Sequence, residues 1–394
     1  MGVKKVFYWF TQYVDGRERK VAKFFVKASR GSGIFTLRRH LLELMQSDLI
    51  VLTLWVERNF KGYRYLKSKR RRRKLYKVRD VLVADFEGFV GDVELSKRKY
   101  MEKIMEYLRV GGRYHYLETS TFCNLIRNPA VEGLEGDCNQ IVTLYIYLYS
   151  LRFSIEDLKI KLLEGHVCLH FDSRDIEATR GEYVDYADFK AMLGVEEIVV
   201  LNILDLHDFR EEVVDVGAID LLDSAEFCYK FGSLREVVAA NLKVAYHNFA
   251  LYRAKNNDFK EAILFAKKVK DRELLRNIYL KAVRYFVDKK AYSKAYEFAK
   301  TLQDGEWIDH IGRLQIKGKI GRGQFDAALK IARRNGTAEL VNAVYGAQYN
   351  YFLTRVKSGK LGPKSRRDLI FKMSKLLSKM GRHEDARKLV RELK

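Results

Sequence analysis

A cysteine, a histidine and an acid occur in an order that suits nucleophilic catalysis by a thiol. Cys138 is followed by His166 and then by Glu177. A thiolate can attack a carbonyl carbon when a histidine handles its proton and an acid orients the imidazole. The residue types and their order therefore predict a Cys-His-acid site, with Asp175 as an alternative acid.

The residues around Cys138 predict the start of a helix. Asp137 can cap the helix, and Gln140, three residues later, can complete a capping box. Cys138 then falls in the first turn, where the positive end of the helix dipole favours the thiolate. The apolar stretch 141–153 predicts that this helix is buried on every face at the centre of a domain.

The histidine and the acid fall on short predicted strands. Segments 158–163, 166–171 and 175–179 have strand patterns, and a turn at 172–174 joins the last two. Side chains alternate along a strand, so His166, Cys168 and His170 share one face. We do not predict a metal site there, because alternate residues of one strand more commonly line a surface.

Charge divides the chain into three regions. Residues 1–80 carry 22 basic and 6 acidic side chains, residues 81–240 carry 16 and 30, and residues 241–394 carry 36 and 15, for a net charge of +23. Such changes in net charge along a chain indicate domain boundaries. They also indicate electrostatic attraction, either between regions of the chain or to an anionic partner. We place the domains at 1–80, 81–225 and 226–394.

Composition predicts a soluble cytoplasmic protein without a cofactor. The four cysteines form no CxxC pair, so neither a disulfide framework nor a zinc site is predicted. The longest apolar run, 49–56, is too short to cross a bilayer, and the first residues lack a signal-peptide pattern. We therefore expect no membrane association and a reduced Cys138.

Local patterns are weakest in residues 1–80. Segments 6–14 and 21–27 predict a hairpin, 37–45 a helix and 49–56 a buried strand. Further on, 96–110 predicts an amphipathic helix and 117–128 a short one.

A run of cations at 67–74 is interleaved with tyrosines and admits two interpretations. It could bind nucleic acid by holding phosphates while the tyrosines stack on bases, or it could be a solvated linker. The cations to which we assign this binding are Lys67, Arg70, Arg71, Arg72, Arg73 and Lys74, and the tyrosines are Tyr63, Tyr65 and Tyr76.

The last third of the chain repeats a pattern. Ala262, Ala295 and Ala328 are 33 residues apart, each is preceded by an aromatic residue, and each is followed by another alanine four positions later. A period near 34 with small residues at helix contacts resembles the tetratricopeptide repeat, which binds proteins or peptides. Segment 381–386 is a degenerate final copy, with an irregular helix pair or a long loop before it.

Three motifs together suggest a family. They are Gly-Asp-Cys-Asn-Gln at 136–140, Gly-His-Val-x-Leu-x-Phe at 165–171 and Ile-Glu-Ala-Thr-x-Gly at 176–181. This set resembles the transglutaminase-like superfamily, specifically its SirB-type bacterial members that carry C-terminal tetratricopeptide repeats. The resemblance implies an α+β fold, with a papain-like core over about 96–190 and an all-α repeat domain after it.

The resemblance also implies roles for the site residues. Cys138 would be the nucleophile of a hydrolase or acyltransferase that acts on an amide-type carbonyl. His166 rather than His170 would be the base, because it directly follows Gly165. Glu177 stands where the family usually has aspartate. The alternative is a catalytically silent scaffold that binds protein or nucleic acid.

Overall fold

The computed structural model describes residues 13–29, 33–109, 112–118, 121–205, 217–334 and 338–391. It is largely helical, with a small antiparallel sheet and a helical C-terminal region. The chain divides into two compact units, Met1–Phe249 and Ala250–Lys394. Both predicted boundaries, at 80 and at 225, fall within helices of the first unit, and the segments on either side of each share one hydrophobic core.

The first unit combines helices with seven short strands among its described residues. In chain order these elements are α1 (Gly16–Ser29), α2 (Ile34–Asn59), α3 (Lys69–Val90), α4 (Lys97–Tyr107), β1 (Tyr114–Tyr116), β2 (Leu134–Gly136), α5 (Cys138–Ser150), β3 (Lys159–Leu162), β4 (Val167–Phe171), β5 (Arg174–Glu177), β6 (Glu182–Val184), β7 (Ala191–Gly194), α6 (Glu197–Leu204), α7 (Ala218–Phe231) and α8 (Arg235–Lys255), the last of which contains the division between the units.

The described N-terminal part is helical, which corrects two strand predictions. Segment 21–27 lies in α1, whereas most of its proposed hairpin partner, 6–14, lies outside the described residues. Segment 49–56 lies in α2, and the predicted helix 37–45 is confirmed as the earlier part of α2. A short apolar run cannot distinguish a strand from a helix that is buried on every side.

A kink at Asp48 separates the two parts of α2. The backbone of Asp48 is extended, with φ −170° and ψ 82°, so the first part of the helix ends there. Its side chain then accepts a hydrogen bond from the N–H of Val51 at 3.0 Å, as a helix cap does. Arg79 of α3 pairs with the same carboxylate, so the buried charge at the kink is compensated.

Helix α5 lies at the centre of the first unit, as its apolar sequence predicted. Every residue from Gln140 to Tyr149 is buried. The helix packs against α2, α4, α6 and strand β4. A rigid central helix of this kind holds its first residue, Cys138, in a defined position relative to the sheet.

Five strands form an antiparallel sheet in the order β6-β5-β4-β3-β7. The strands β4 and β5 are joined by Asp172 and Ser173, which have φ of 50° and 60°. Two left-handed residues make the tight turn whose twist matches a hairpin. The three strands predicted here are confirmed, and so is the helix after Ser96. The described residues of 117–128 contain one short 3-10 turn, Phe122–Leu125, in place of the predicted helix.

The second unit is built from helices that pair in sequence order. They are α9 (Phe259–Val269), α10 (Arg272–Asp288), α11 (Tyr292–Leu302), α12 (Gly305–Gly321), α13 (Phe325–Arg334), α14 (Ala338–Lys357), α15 (Pro363–Lys379) and α16 (His383–Arg391). The repeated alanines of α9, α11 and α13 are fully buried, so the 33-residue pattern marks helix contacts. Segment 381–386 leads into α16. Of the two alternatives predicted before it, a helix pair or a long loop, the structure shows the pair α14 and α15.

Among the described helices, none is both long enough and apolar enough to cross a bilayer.

Candidate active site

The start of α5 positions Cys138 at the surface of the first unit. Asp137 Oδ1 accepts the N–H groups of Asn139 at 2.8 Å and Gln140 at 3.3 Å, and Gln140 Oε1 accepts the N–H of Asp137 at 3.2 Å. This confirms the predicted capping box. Cys138 is therefore the first helical residue, and it is half-buried.

Gly136, just before this helix, lies where there is little room for a side chain. A Cβ at Gly136 would lie 3.1 Å from a methyl group of Leu125 and 3.2 Å from Cβ of Gln140. These contacts are tighter than ordinary packing allows. The glycine thus lets strand β2 run directly into the helix that carries the thiol.

The strand register explains how Glu177 reaches His166. In the pairing of β4 with β5, Leu169 lies opposite Ile176 and His170 lies opposite Asp175. The same register places Glu177 diagonally from His166, and diagonal neighbours are about 7–8 Å apart, within reach of long side chains only. Nε2 of His166 is 2.7 Å from Oε2 of Glu177. The additional methylene of glutamate supplies the reach that aspartate lacks.

Asp175, the alternative acid, belongs to a different group of residues. It lies directly opposite His170 and is 2.8 Å from Nδ1 of that ring. Lys161 Nζ donates to the other oxygen of Asp175 at 2.5 Å, and the N–H of Tyr186 donates to it at 3.0 Å. The structure therefore brings Glu177, and not Asp175, to His166.

The imidazole of His166 also lies close enough to Cys138 for the two side chains to interact. Since Nε2 pairs with Glu177, Nδ1 is the nitrogen left to face the sulfur. The interaction with Cys138, followed by the hydrogen bond with Glu177, raises the pKa of His166 to about 10 against the opposing effect of burial. The ring is therefore an imidazolium at neutral pH, next to the thiol.

Glu177 is a buried carboxylate with several donors. Burial alone would raise its pKa, but hydrogen bonds from His166, Thr179 and Tyr186 outweigh it and lower the pKa to about 2. The hydroxyl of Thr179 is 2.5 Å and its N–H 3.1 Å from Oε1, and the hydroxyl of Tyr186 is 2.6 Å from Oε2. Glu177 is thus ionised at any physiological pH, as the partner of an imidazolium must be.

Two of these donors were not predicted as site residues. Thr179 lies inside the Ile-Glu-Ala-Thr motif, so its position two residues after the acid was a usable signal. Tyr186 lies outside the described strands, between β6 and β7, where no motif or periodicity marks it. Only the folded chain brings its hydroxyl to Glu177.

The other three cysteines differ from Cys138 in environment. Burial raises the pKa of Cys168 to about 12, and it raises the pKa values of Cys123 and Cys228 as well. Within the described ranges, no group of three or more His, Cys, Asp or Glu side chains is arranged to hold a metal ion. Cys138 is thus the thiol that combines partial exposure with a histidine partner.

From Lys69 onward the cation run forms the start of α3, so it is not a linker. Arg72 is buried, its Nε is 2.6 Å from Oε1 of Glu18, and it also donates to the carbonyl of Leu66 at 2.6 Å. This corrects the assignment of Arg72 to a phosphate-binding surface. Tyr63 and Tyr76 are also buried, and so they are not available to stack on bases.

The remaining cations of the proposed surface are exposed. Lys67 lies just before α3, and Arg70, Arg71, Arg73 and Lys74 lie in its first turns.

No protein-family model, curated protein or solved structure shows significant similarity to this chain. The function is therefore inferred from the geometry of the site.

Proposed function

We propose that the first unit is a cysteine hydrolase or acyltransferase, with a transglutaminase-like core of the papain type, that acts on an amide-type carbonyl. The observation that carries this proposal is the arrangement around one imidazole. His166 faces Cys138 on one side and a buried, ionised Glu177 on the other. Nucleophile, base and orienting acid in this geometry are the requirements of acyl transfer by a thiol.

Acylation would begin with a thiolate at Cys138 and an imidazolium at His166. The sulfur adds to the carbonyl carbon of the substrate, and the electron pair of the C=O bond moves onto its oxygen. When that pair returns, the carbon–nitrogen bond breaks, and the leaving amine takes the proton from Nδ1 of His166. The products are a free amine, a thioester on Cys138 and a neutral imidazole held by Glu177.

The helix start can stabilise the oxyanion that forms in this step. The capping box engages the N–H groups of Asn139 and Gln140, whereas Cys138, as the first helical residue, has no carbonyl four residues earlier within the helix. Its N–H is therefore oriented like the anion-binding amides at other helix starts.

Deacylation would reverse the direction of proton transfer at His166. Neutral His166 takes a proton from water or from an acceptor amine, whose oxygen or nitrogen attacks the thioester carbon and releases the thiolate. The side chain of His166 is 28% exposed, so an acceptor can approach it. Water as the acceptor gives hydrolysis, and an amine gives acyl transfer.

The second unit would bind a partner protein or peptide and present it as substrate. Its helices follow the repeat pattern, and helical repeats expose extended surfaces for peptides. The 36 basic and 15 acidic side chains of residues 241–394 favour an acidic partner.

Labelling with iodoacetamide tests the activated thiol. At pH 7 we expect Cys138 to react at least about tenfold faster than Cys123, the other half-buried cysteine, whose pKa is raised by burial. Mass spectrometry of the peptides identifies each adduct. Equal rates at the two residues would disprove the activated thiol.

Acylation by p-nitrophenyl acetate tests the chemistry itself. The wild-type protein should release a burst of nitrophenolate equal to its own concentration and carry an acetyl group on Cys138. The variant Cys138→Ala should show no burst, whereas Cys228→Ala, which removes a buried thiol, should retain it. A full burst from Cys138→Ala would refute the assignment of the nucleophile.

A second candidate function is binding of nucleic acid through α3. Exposed cations occupy the first turns of this helix, where the helix dipole disfavours positive charge, and no acidic residue occurs there. An anionic partner would offset that repulsion. Changing Arg70, Arg73 and Lys74 to glutamine should abolish low-salt retention of a duplex oligonucleotide, while Cys138→Ala should not affect it. Retention that survives the triple change would exclude this surface.

A further inference from the structure

The loop between β6 and β7 reaches into the site through a single side chain. Residues 187–190 of this loop are exposed, whereas Tyr186 is half-buried and points its hydroxyl at Glu177. The proposed chemistry assigns no role to this residue. We propose that Tyr186 is a positioning residue that fixes the Glu177 carboxylate against His166, an inference that rests on the proposed function.

Tyr186 and Thr179 donate to different oxygens of the Glu177 carboxylate. Thr179 donates twice to Oε1. Oε2, the oxygen that faces His166, receives the hydroxyl of Tyr186 at 2.6 Å and the ring N–H of His166 at 2.7 Å. Tyr186 therefore sets the direction in which Oε2 meets the imidazole, and Thr179 holds the opposite end of the carboxylate.

The backbone of Tyr186 is held by the neighbouring ion pair. Its N–H donates to Oδ2 of Asp175 at 3.0 Å, and its carbonyl accepts from Nζ of Lys161 at 2.5 Å. Lys161 and Asp175 are both buried and are themselves paired at 2.5 Å. The group formed by Lys161, Asp175 and His170 thus anchors the tyrosine, and the tyrosine connects this anchor to Glu177.

The tyrosine is also in the correct protonation state to donate. Burial, followed by the hydrogen bond to Glu177, raises the pKa of Tyr186 to about 12, so its hydroxyl stays protonated when the thiol and imidazole react. Arg180 and Cys168 are the other ionisable groups that affect this hydroxyl. Among the described contacts, neither side chain forms a hydrogen bond with the carboxylate of Glu177; Arg180 donates only its backbone N–H, to the carbonyl oxygen of Glu177 at 3.1 Å.

The test is Tyr186→Phe, with His166 as the reporter. Without the hydroxyl, Oε2 loses a donor and the carboxylate can turn away, so the imidazolium loses part of its stabilisation. We expect the pKa of His166, measured by NMR of protein labelled with ¹³C at histidine Cε1, to fall by about one unit. The rate of iodoacetamide labelling at Cys138 should fall about threefold to tenfold at pH 7.

Tyr145→Phe is the matched control. Tyr145 also lies near Glu177, but its buried hydroxyl has no hydrogen-bond partner among the described residues. The same chemical change at this position should leave the pKa of His166 and the labelling rate unaltered. If Tyr186→Phe behaves like this control while its circular dichroism spectrum stays native, the positioning role is refuted.

Failure of this inference can be distinguished from failure of the proposed function. If the wild-type His166 titrates near 6.5 and Cys138 labels slowly, the proposed function itself is wrong. If the wild-type protein shows the raised pKa and fast labelling and Tyr186→Phe shows them equally, only the role of Tyr186 is wrong.

Discussion

The sheet carries two pairs of a histidine and an acid on one face, and the two pairs have different surroundings. His166 and Glu177 lie next to a half-buried thiol, and the histidine is 28% exposed. His170 is similarly exposed, at 26%, but its acid, Asp175, is also bonded to buried Lys161. Similar residues therefore serve two purposes, because one acid faces a reactive group and the other neutralises a buried cation.

The difference shows how this fold separates reactivity from stability. Hydrogen bonds from Lys161 and His170 outweigh burial and lower the pKa of Asp175, and this carboxylate accepts three donors. These donors are Lys161, His170 and Tyr186, and no hydrogen bond joins Asp175 to His166 among the described residues. Glu177 instead directs one oxygen at a histidine whose other nitrogen faces Cys138. The second pair anchors the sheet, and the first is available for chemistry.

The largest expected effect is a difference in unfolding free energy between variants of the two acids, Asp175 and Glu177. Asp175→Asn should lower the free energy of unfolding by about 3–5 kcal/mol, because it leaves buried Lys161 without a counter-charge. Glu177→Gln should cost only about 1–2 kcal/mol, because its partner histidine can lose its proton. Denaturation by urea measures both values. The comparison fails if Glu177→Gln is the more destabilising change.

The next effect is a difference in the reactivity of Cys138 between variants of the two histidines, His166 and His170. His166→Gln should lower the rate of iodoacetamide labelling at Cys138 by about tenfold or more at pH 7, because the sulfur loses the ring that accepts its proton. His170→Gln, the matched control, should change that rate less than twofold, a limit of roughly 0.4 kcal/mol. A larger loss in the control than in His166→Gln would exchange the roles of the two histidines.

The pH dependence of stability sharpens the description of the first pair. Glu177 has a pKa lowered from 4.5 to about 2, so its contribution is complete above 4.5 and is lost as the pH falls through 2. His166 has a pKa raised from 6.5 to about 10, so its contribution is complete below 6.5 and is lost as the pH rises through 10.

The difference in unfolding free energy between the wild-type protein and Glu177→Gln should therefore be greatest between pH 4.5 and 6.5. Urea denaturation at a series of pH values measures it. A difference that keeps growing up to pH 10 would contradict the assigned pair.

The smallest effect concerns Tyr145, which lies in α5 near the same sheet face. Its buried hydroxyl has no hydrogen-bond partner among the described residues, so Tyr145→Phe should raise the free energy of unfolding by about 1 kcal/mol. Thermal unfolding measures the change. A loss of stability on this substitution would indicate that the hydroxyl is satisfied, for example by an internal water molecule.

Prediction from the sequence was most successful where local patterns determine structure. The capping box of α5, the turn at Asp172 and Ser173, and the 33-residue alanine pattern are all confirmed, because neighbouring residues define each of them. It was least successful for 21–27 and 49–56, which are helical. Both segments are apolar because they are buried, and burial in a helix produces the same composition as a strand.

The candidate site shows the same division. Cys138, His166 and Glu177 were selected by their order and motifs, and the structure brings them together. The choice between Glu177 and Asp175 stayed open in the sequence, because it depends on which residues face each other across β4 and β5. Tyr186 could not be found at all, because its role depends on where a loop returns to the sheet.

The amino-acid sequence by itself determined the helix start that carries Cys138, the strands that carry His166 and Glu177, and the repeat pattern after residue 258. These features arise from capping, alternation and periodicity, which act over a few residues. Only the tertiary structure decided that Glu177 reaches His166 diagonally, that Lys161 occupies Asp175 and that Arg72 is buried. Those outcomes depend on strand register and on contacts between residues distant in sequence, which no local pattern encodes.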